Sequence, residues 1–236
     1  MTYGELVYMV IDELKLLSDD SYFNEDHIIF LADKYRLFLL DKKYSKNKTQ
    51  IPESNYQTLC VDLEPVISIN YSGCENLEYL KSVCKIPHIY GLATPRVSSQ
   101  DFFKGAMLSY VSKDRLEFVG NNRYTNNFIF ASIGDDNYLY LKSSNPQYSY
   151  LDSVKITGIF EDSKEATEYA CNKNIDNCSI LEQVFPIEGA LVNAVIELVV
   201  KELFNSLYKP EDNKNDSKDS LGDLGVAKAK SNEWFQ

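Results

Sequence analysis

Apolar residues recur at three- and four-residue intervals near the start of the chain: Leu6, Val7, Val10, Ile11, Leu14 and Leu17. That spacing puts them on one face of an α-helix. Thr2 and Glu5 have capping-box spacing, in which each side chain satisfies the other's orphan backbone N–H. The polar segment SDDSYFN interrupts the pattern, and Asn24, followed by Glu25 and Asp26, predicts the cap and acidic first turn of a second helix. Ile28, Ile29, Leu31, Leu37, Phe38, Leu39 and Leu40 are the apolar positions of that helix, and KKYSKNK ends it. Together the two predict a helical hairpin over residues 1–48.

Between residues 57 and 161 the period shortens. QTLCVDL, PVISINY, AMLSYVS, RLEFVG, NFIFASI, YLYLKS and VKITGIF are short and rich in β-branched and aromatic residues, with turn residues between them. The clearest hairpin joins NFIFASI to YLYLKS through Gly134, Asp135, Asp136 and Asn137. The pattern predicts a β-sandwich or small barrel-like domain. Residues 162–208 return to helix, first in SKEATEYAC and then in the long FPIEGALVNAVIELVVKELFNSLY. Ala190, Leu191, Ala194, Val195, Leu198, Val199 and Leu203 make that helix apolar over much of its circumference, and Pro210 stops it. The expected fold is α+β: a helical bundle body of the N-terminal hairpin and the long C-terminal helix, with an inserted β-sandwich-like domain.

Residues 209–236 do not continue either period. Five Lys stand against six Asp and Glu, with Leu221, Leu224, Val226, Trp234 and Phe235 spaced along a polar strap. Segments of this composition bury too little apolar surface to fold alone and commonly order on binding. The expectation is an extended arm that holds a neighbouring protein, with Tyr208, Pro210, Leu221, Leu224, Trp234 and Phe235 as its contact residues.

Charge narrows the function. The net charge is −11, and only Arg36, Arg96, Arg115 and Arg123 among the 24 basic residues are Arg. A general nucleic-acid binder needs the opposite sign. An acidic surface can still face DNA and let it slide past. Lys42, Lys43, Lys46 and Lys48 gather where the second helix ends, a place where lysines complement the helix dipole more often than they bind phosphate. The 17 Tyr suit half-buried strands and subunit contacts. No apolar run reaches membrane-span length, and MTYGELVYM lacks the basic start and apolar stretch of a signal peptide, so assembly in a cytoplasm is expected.

Candidate chemistry is sparse. Five Cys (Cys60, Cys74, Cys84, Cys171, Cys178) show no CxxC spacing, and His27 and His88 are the only histidines. Neither pattern suits zinc. Reduced thiols packed as small hydrophobes are the expectation, with a local Cys171–Cys178 bridge left open. There is no GxSxG, GxGxxG, HExxH or phosphate loop. Asp19–Asp20 and Asp135–Asp136 fall in expected turns, and GDDN lacks the alternating ligands of an EF-hand. NNRYTNNF, with Arg123 and Tyr124, reads as a polar turn or an inter-subunit contact. No catalytic, cofactor or metal residues are assigned. A carbohydrate-binding or carbohydrate-cleaving use of the β-rich region is the alternative; it requires a concave aromatic surface with convergent carboxylates.

Several stretches resemble virion structural proteins of crAss-like tailed bacteriophages. They are the opening MTYGELVYMVIDELKLLSDDSYFNEDHIIFLADKYRLFLL, then PESNYQTLC, TPRVSSQDFF, SIGDDNYLYLKSSNPQY and IELVVKELFNSLYKPEDNKND. The similarity covers essentially the whole chain and is to ring or head–tail adaptor proteins of the portal-proximal neck. It implies a helical body that closes into a ring below the portal, with twelve copies, surrounding DNA that passes without specific binding. It also implies a β domain facing outward or toward the next tail ring, an arm docked on the portal, and residence in the virion. It brings no catalytic residues and no cofactor.

Overall fold

The computed structural model describes residues 1–17, 23–46, 50–69, 75–99, 107–116, 118–119, 122–145, 148, 150–169, 171 and 179–207. Among them are five α-helices: α1 Tyr3–Leu17, α2 Glu25–Tyr44, α3 Lys113–Leu116, α4 Ser163–Glu168 and α5 Gly189–Leu207. Seven strands accompany them: β1 Gln57–Ile69, β2 Glu75–Ser82, β3 Arg96–Ser99, β4 Met107–Tyr110, β5 Phe128–Ile133, β6 Leu139–Lys142 and β7 Ser153–Gly158. The chain divides after Val200, inside α5, and from Lys201 on only Lys201–Leu207 are described.

Both predicted helix starts form as expected. The Glu5 amide donates to Thr2 Oγ1 at 3.1 Å, and the Thr2 amide donates to Glu5 Oε2 at 2.8 Å. Asn24 Oδ1 accepts the Asp26 amide at 3.0 Å. On α1 the buried face is Tyr3, Leu6, Val7, Val10 and Leu14. Gly4 lets this helix lie against the 3-10 turn Ile180–Glu182, because a Cβ there would stand 2.9 Å from the Leu181 carbonyl oxygen. Backbone bonds from the Tyr3 amide to Gln183 O (2.9 Å) and from the Phe185 amide to Met1 O (3.0 Å) fix the contact.

The strands form one sheet, in the order β3-β7-β1-β2-β6-β5-β4. Its outer strands β3 and β4 come close to each other, so the sheet nearly closes on itself. The architecture is mixed α+β, and a single curled sheet stands where a sandwich would have two. All pairings are antiparallel except β4–β5, which is parallel and bridged by the crossover containing α3. Inward side chains such as Leu59, Val61, Leu80, Ile129, Leu141 and Ile156 fill the interior, and Phe160 and Ala166 join them.

QTLCVDL and PVISINY, expected as two strands, belong to one. Residues 57–62 of β1 pair with β7, and residues 63–69 pair with β2. Pro65 falls where the β7 ladder has already ended, so its missing N–H breaks no bond on that side, and a register shift follows between Val66 and Ile67. RLEFVG is not a strand: Lys113–Leu116 is helical, and the Phe118 amide bonds Arg115 O at 3.1 Å. Strands β2 and β3 lie in stretches too polar to have been expected as strands. The long helix begins at Gly189, with Pro186 in the extended approach to it.

Sheet and helices are joined through buried polar groups. Arg36, fully buried on α2, donates to Phe160 O at 2.5 Å and to Pro186 O at 3.4 Å. Its Nε lies 3.1 Å from Asp33 Oδ1. Burial pushes the Asp33 carboxyl up, and Arg36 and Ser163 oppose that shift; burial likewise pushes Arg36 down. At the start of α5, Glu188 accepts Lys43 Nζ at 2.6 Å and Tyr44 OH at 2.9 Å, and its amide donates to Asn55 Oδ1 at 2.9 Å.

The cysteines differ from expectation. Cys60 and Cys171 are bonded to each other across 111 residues of sequence. The Cys60 amide donates to Tyr169 O at 2.9 Å, which lays the segment after α4 beside β1 and brings the two sulfurs together. Cys171 is therefore not bridged to Cys178, and the expectation of thiols reduced throughout is corrected. Cys84 is a free, exposed thiol.

Candidate assembly interface

Of the eleven large apolar side chains exposed among the described residues, five stand on the outward faces of the first two helices. On α1, Tyr8 is 59 % exposed, Met9 50 % and Leu16 87 %; on α2, Phe30 is 65 % exposed and Phe38 54 %. Tyr8, Asp12 and Leu16 are spaced i, i+4, i+8, and so are Phe30, Lys34 and Phe38, so each set lies along one line of its helix. Phe38, expected with the apolar positions of α2, instead points outward. The inward face of α2 is completed by Asp33 and Arg36, two charged residues that a hydrophobic pattern does not select.

The outward face of α1 is mostly acidic, and that of α2 is mixed in charge. Around Tyr8, Met9 and Leu16 stand Asp12 and Glu13, with Glu5 one turn earlier and Lys15 beside them. Around Phe30 and Phe38 stand Asp26, Lys34, Asp41 and Lys42, all exposed. Of the lysines at the end of α2, Lys43 is committed to Glu188, Lys42 and Lys46 are exposed, and Lys48 lies outside the described residues.

A second feature is a cleft of about 640 Å³ on the outer side of the sheet, lined by Tyr79, Lys113, Leu116, Ser132, Asp136 and Tyr140 among others. The hairpin tip builds one wall. Asn137 takes φ 63°, the left-handed conformation that closes the turn, and the Asn137 amide donates to Gly134 O at 3.0 Å. Gly134 has no room for a Cβ, which would meet Tyr140 Cε2 at 2.7 Å. Tyr79 and Tyr140 meet edge to face at 5.5 Å. Two carboxylates do converge here, but both are already engaged by the chain itself. Asp135 pairs with Lys113. Asp136 accepts the Tyr140 hydroxyl at 2.5 Å, which holds its carboxyl below the usual aspartate range, while burial and then Asp136 push Tyr140 up to about 12. Both carboxylates are thus already partnered within the chain, and the carbohydrate alternative gains no support from them.

His27 and His88 are both exposed and lie far apart in the sequence. Arg123 and Tyr124 are exposed in a turn, as NNRYTNNF suggested. Among the described residues no three His, Cys, Asp or Glu gather as a metal site would require, and no helix is long and apolar enough to cross a membrane. The arm residues Tyr208, Pro210, Leu221, Leu224, Trp234 and Phe235 lie outside the described residues.

Comparison with known proteins gives this surface its context. A family described as phage tail ring protein 2 matches residues 5–223. Over 224 residues the chain is 50 % identical to Ring protein 2 of Bacteroides phage crAss001, which covers 94 % of this chain and 99 % of that protein. The family match includes Tyr208, Pro210 and Leu221 and ends before Leu224, Trp234 and Phe235.

Proposed function

The chain belongs to the phage tail ring protein 2 family, and from that membership we propose that it is a non-enzymatic neck component that closes into a homo-oligomeric ring of twelve copies. The ring joins the portal to the tail and surrounds the DNA channel. Its helical parts, residues 1–48 and 162–208, build the ring body. The β-rich part, residues 57–161, faces outward or toward the neighbouring tail ring. The arm, residues 209–236, docks on the portal.

The observation that most supports a ring is the exposure of Tyr8, Met9, Leu16, Phe30 and Phe38 on two helices of one hairpin. Single exposed apolar residues are ordinary, but aligned ones on neighbouring helices mark a surface that a partner covers. A ring needs only that one patch meet a different patch with a rotation that closes. The net charge of −11 suits a channel that DNA passes without sticking.

Native mass spectrometry of the purified chain, alone and mixed with its cognate portal, tests the proposal. Multiple copies, free or on the portal, are expected, and their mass gives the stoichiometry. A chain that stays monomeric and ignores the portal overturns it.

A further inference from the structure

We propose that the Cys60–Cys171 bond is a reversible redox latch: the folded chain carries two thiols in reducing surroundings and the bridge in oxidising ones, and closing the bridge locks α4 onto the sheet. This holds whether or not the chain forms a ring.

Three observations carry it. First, the bond joins the two ends of the β-rich part. Strands β2 to β7 all lie between the two cysteines in sequence, whereas α1, α2 and α5 lie outside them. The latch therefore sits where the chain enters the sheet and where it leaves it. Second, contacts that need no covalent bond hold the two sulfurs together. The Cys60 amide donates to Tyr169 O at 2.9 Å, Gln57 Nε2 donates to Ser163 O at 3.0 Å, and Ala166 of α4 is buried among the inward side chains of the sheet. Reduction thus leaves two thiols side by side, and closure joins groups already in place. Third, Cys60 and Cys171 are both only partly buried. Leu59 and Val61 point into the sheet, so Cys60 between them points to its outer side, where small thiols and disulfides reach it. Exposed bonds are the labile ones.

The exchange balances without any other reactant. To open the latch, a small thiolate attacks one sulfur, forms a mixed disulfide and frees the other sulfur as a thiolate. A second small thiol then displaces the first, and the pair leaves as a disulfide. To close it, a low-molecular-weight disulfide takes the two electrons from the two cysteines and leaves as two thiols, which carry away their protons. A cytoplasm keeps thiols reduced. A chain made there, as the sequence leads one to expect, starts open and closes when its surroundings turn oxidising. In the open form α4 can lift from β1 in local openings that leave the rest of the fold intact.

Full-length wild type equilibrated in glutathione buffers from reducing to oxidising tests the latch. After acid quench and alkylation, the peptides holding Cys60 and Cys171 are read by mass. Both are expected to lose their label together as the buffer turns oxidising and to regain it on return, with far-UV circular dichroism unchanged. Cys84, the exposed thiol, is expected to stay labelled. Hydrogen exchange then reads the mechanical effect. Amides of α4 and the start of β1 are expected to exchange faster in reducing than in oxidising buffer, and those of β5 and β6 equally in both. In Cys60→Ser/Cys171→Ser the buffer should make no difference. A bridge that stays closed in every buffer, never closes or pairs other cysteines overturns the latch. So does loss of the dichroism signal on reduction, which would make the bond a condition of folding, and so does exchange in α4 that ignores the redox state.

Discussion

Ser163, the first residue of α4, holds Asp33 in the middle of α2 through two bonds. Its amide donates to Asp33 Oδ2 at 3.2 Å, and its hydroxyl donates to Oδ1 at 2.5 Å. The same hydroxyl lies 2.5 Å from Tyr3 OH on α1. One small side chain thus links the first two helices to the segment that leaves the sheet. Arg36 balances the charge from the other side.

Replacement of Arg36 by Met is expected to destabilise the fold by about 3–5 kcal/mol, because it leaves a buried carboxylate without its cation and two carbonyls without a donor. Urea denaturation measures the loss. In a double-mutant cycle with Asp33→Asn the two effects should fall well short of additive, since either change removes the same interaction. Additive losses would show that the two residues act separately.

The bridge between Cys60 and Cys171 closes a loop spanning a sequence separation of 111 residues. A loop of that length restricts the unfolded chain by roughly 5 kcal/mol. Full-length protein carrying Cys60→Ser and Cys171→Ser is therefore expected to lose several kcal/mol of stability to denaturant. Added reductant should lower wild-type stability and leave the variant unchanged.

The hydroxyl of Tyr140 acts on Asp136, whose folded-state carboxyl is held below its unfolded value. A depressed carboxyl contributes stability that is complete above the unfolded aspartate value and lost as pH falls through the folded one. In Tyr140→Phe, the Asp136 midpoint followed by NMR should rise toward the ordinary aspartate value. The acid limb of the stability profile should flatten with it. An unchanged midpoint would show that the hydroxyl is not the cause.

Truncation after Tyr208 should leave the thermal midpoint nearly unchanged and weaken attachment to the portal, as expected of an arm whose polar composition adds little to a core. A large drop in thermal stability would place residues 209–236 within the folded core.

Features that depend on near neighbours in the chain were legible in the amino-acid order. The Thr2–Glu5 box, the Asn24 cap and the hairpin around Gly134 and Asn137 are set by residues within a few positions, so their signals are local and each is present in the structure. The resemblance to phage ring proteins was legible for another reason: it needs matching stretches and no geometry. What depends on distant residues was decided by tertiary structure. Cys60 finds Cys171 only because the segment after α4 runs beside β1. Pro65 sits inside a strand only because β7 stops short of it. Polar β2 is a strand because β1 and β6 pair with its edges, and pairing overrides composition. Asp33 and Arg36 are buried because they neutralise each other and serve groups more than a hundred residues away, which no hydrophobic period reveals. Phe38 reads as core by composition and stands outside because the helix turns it there.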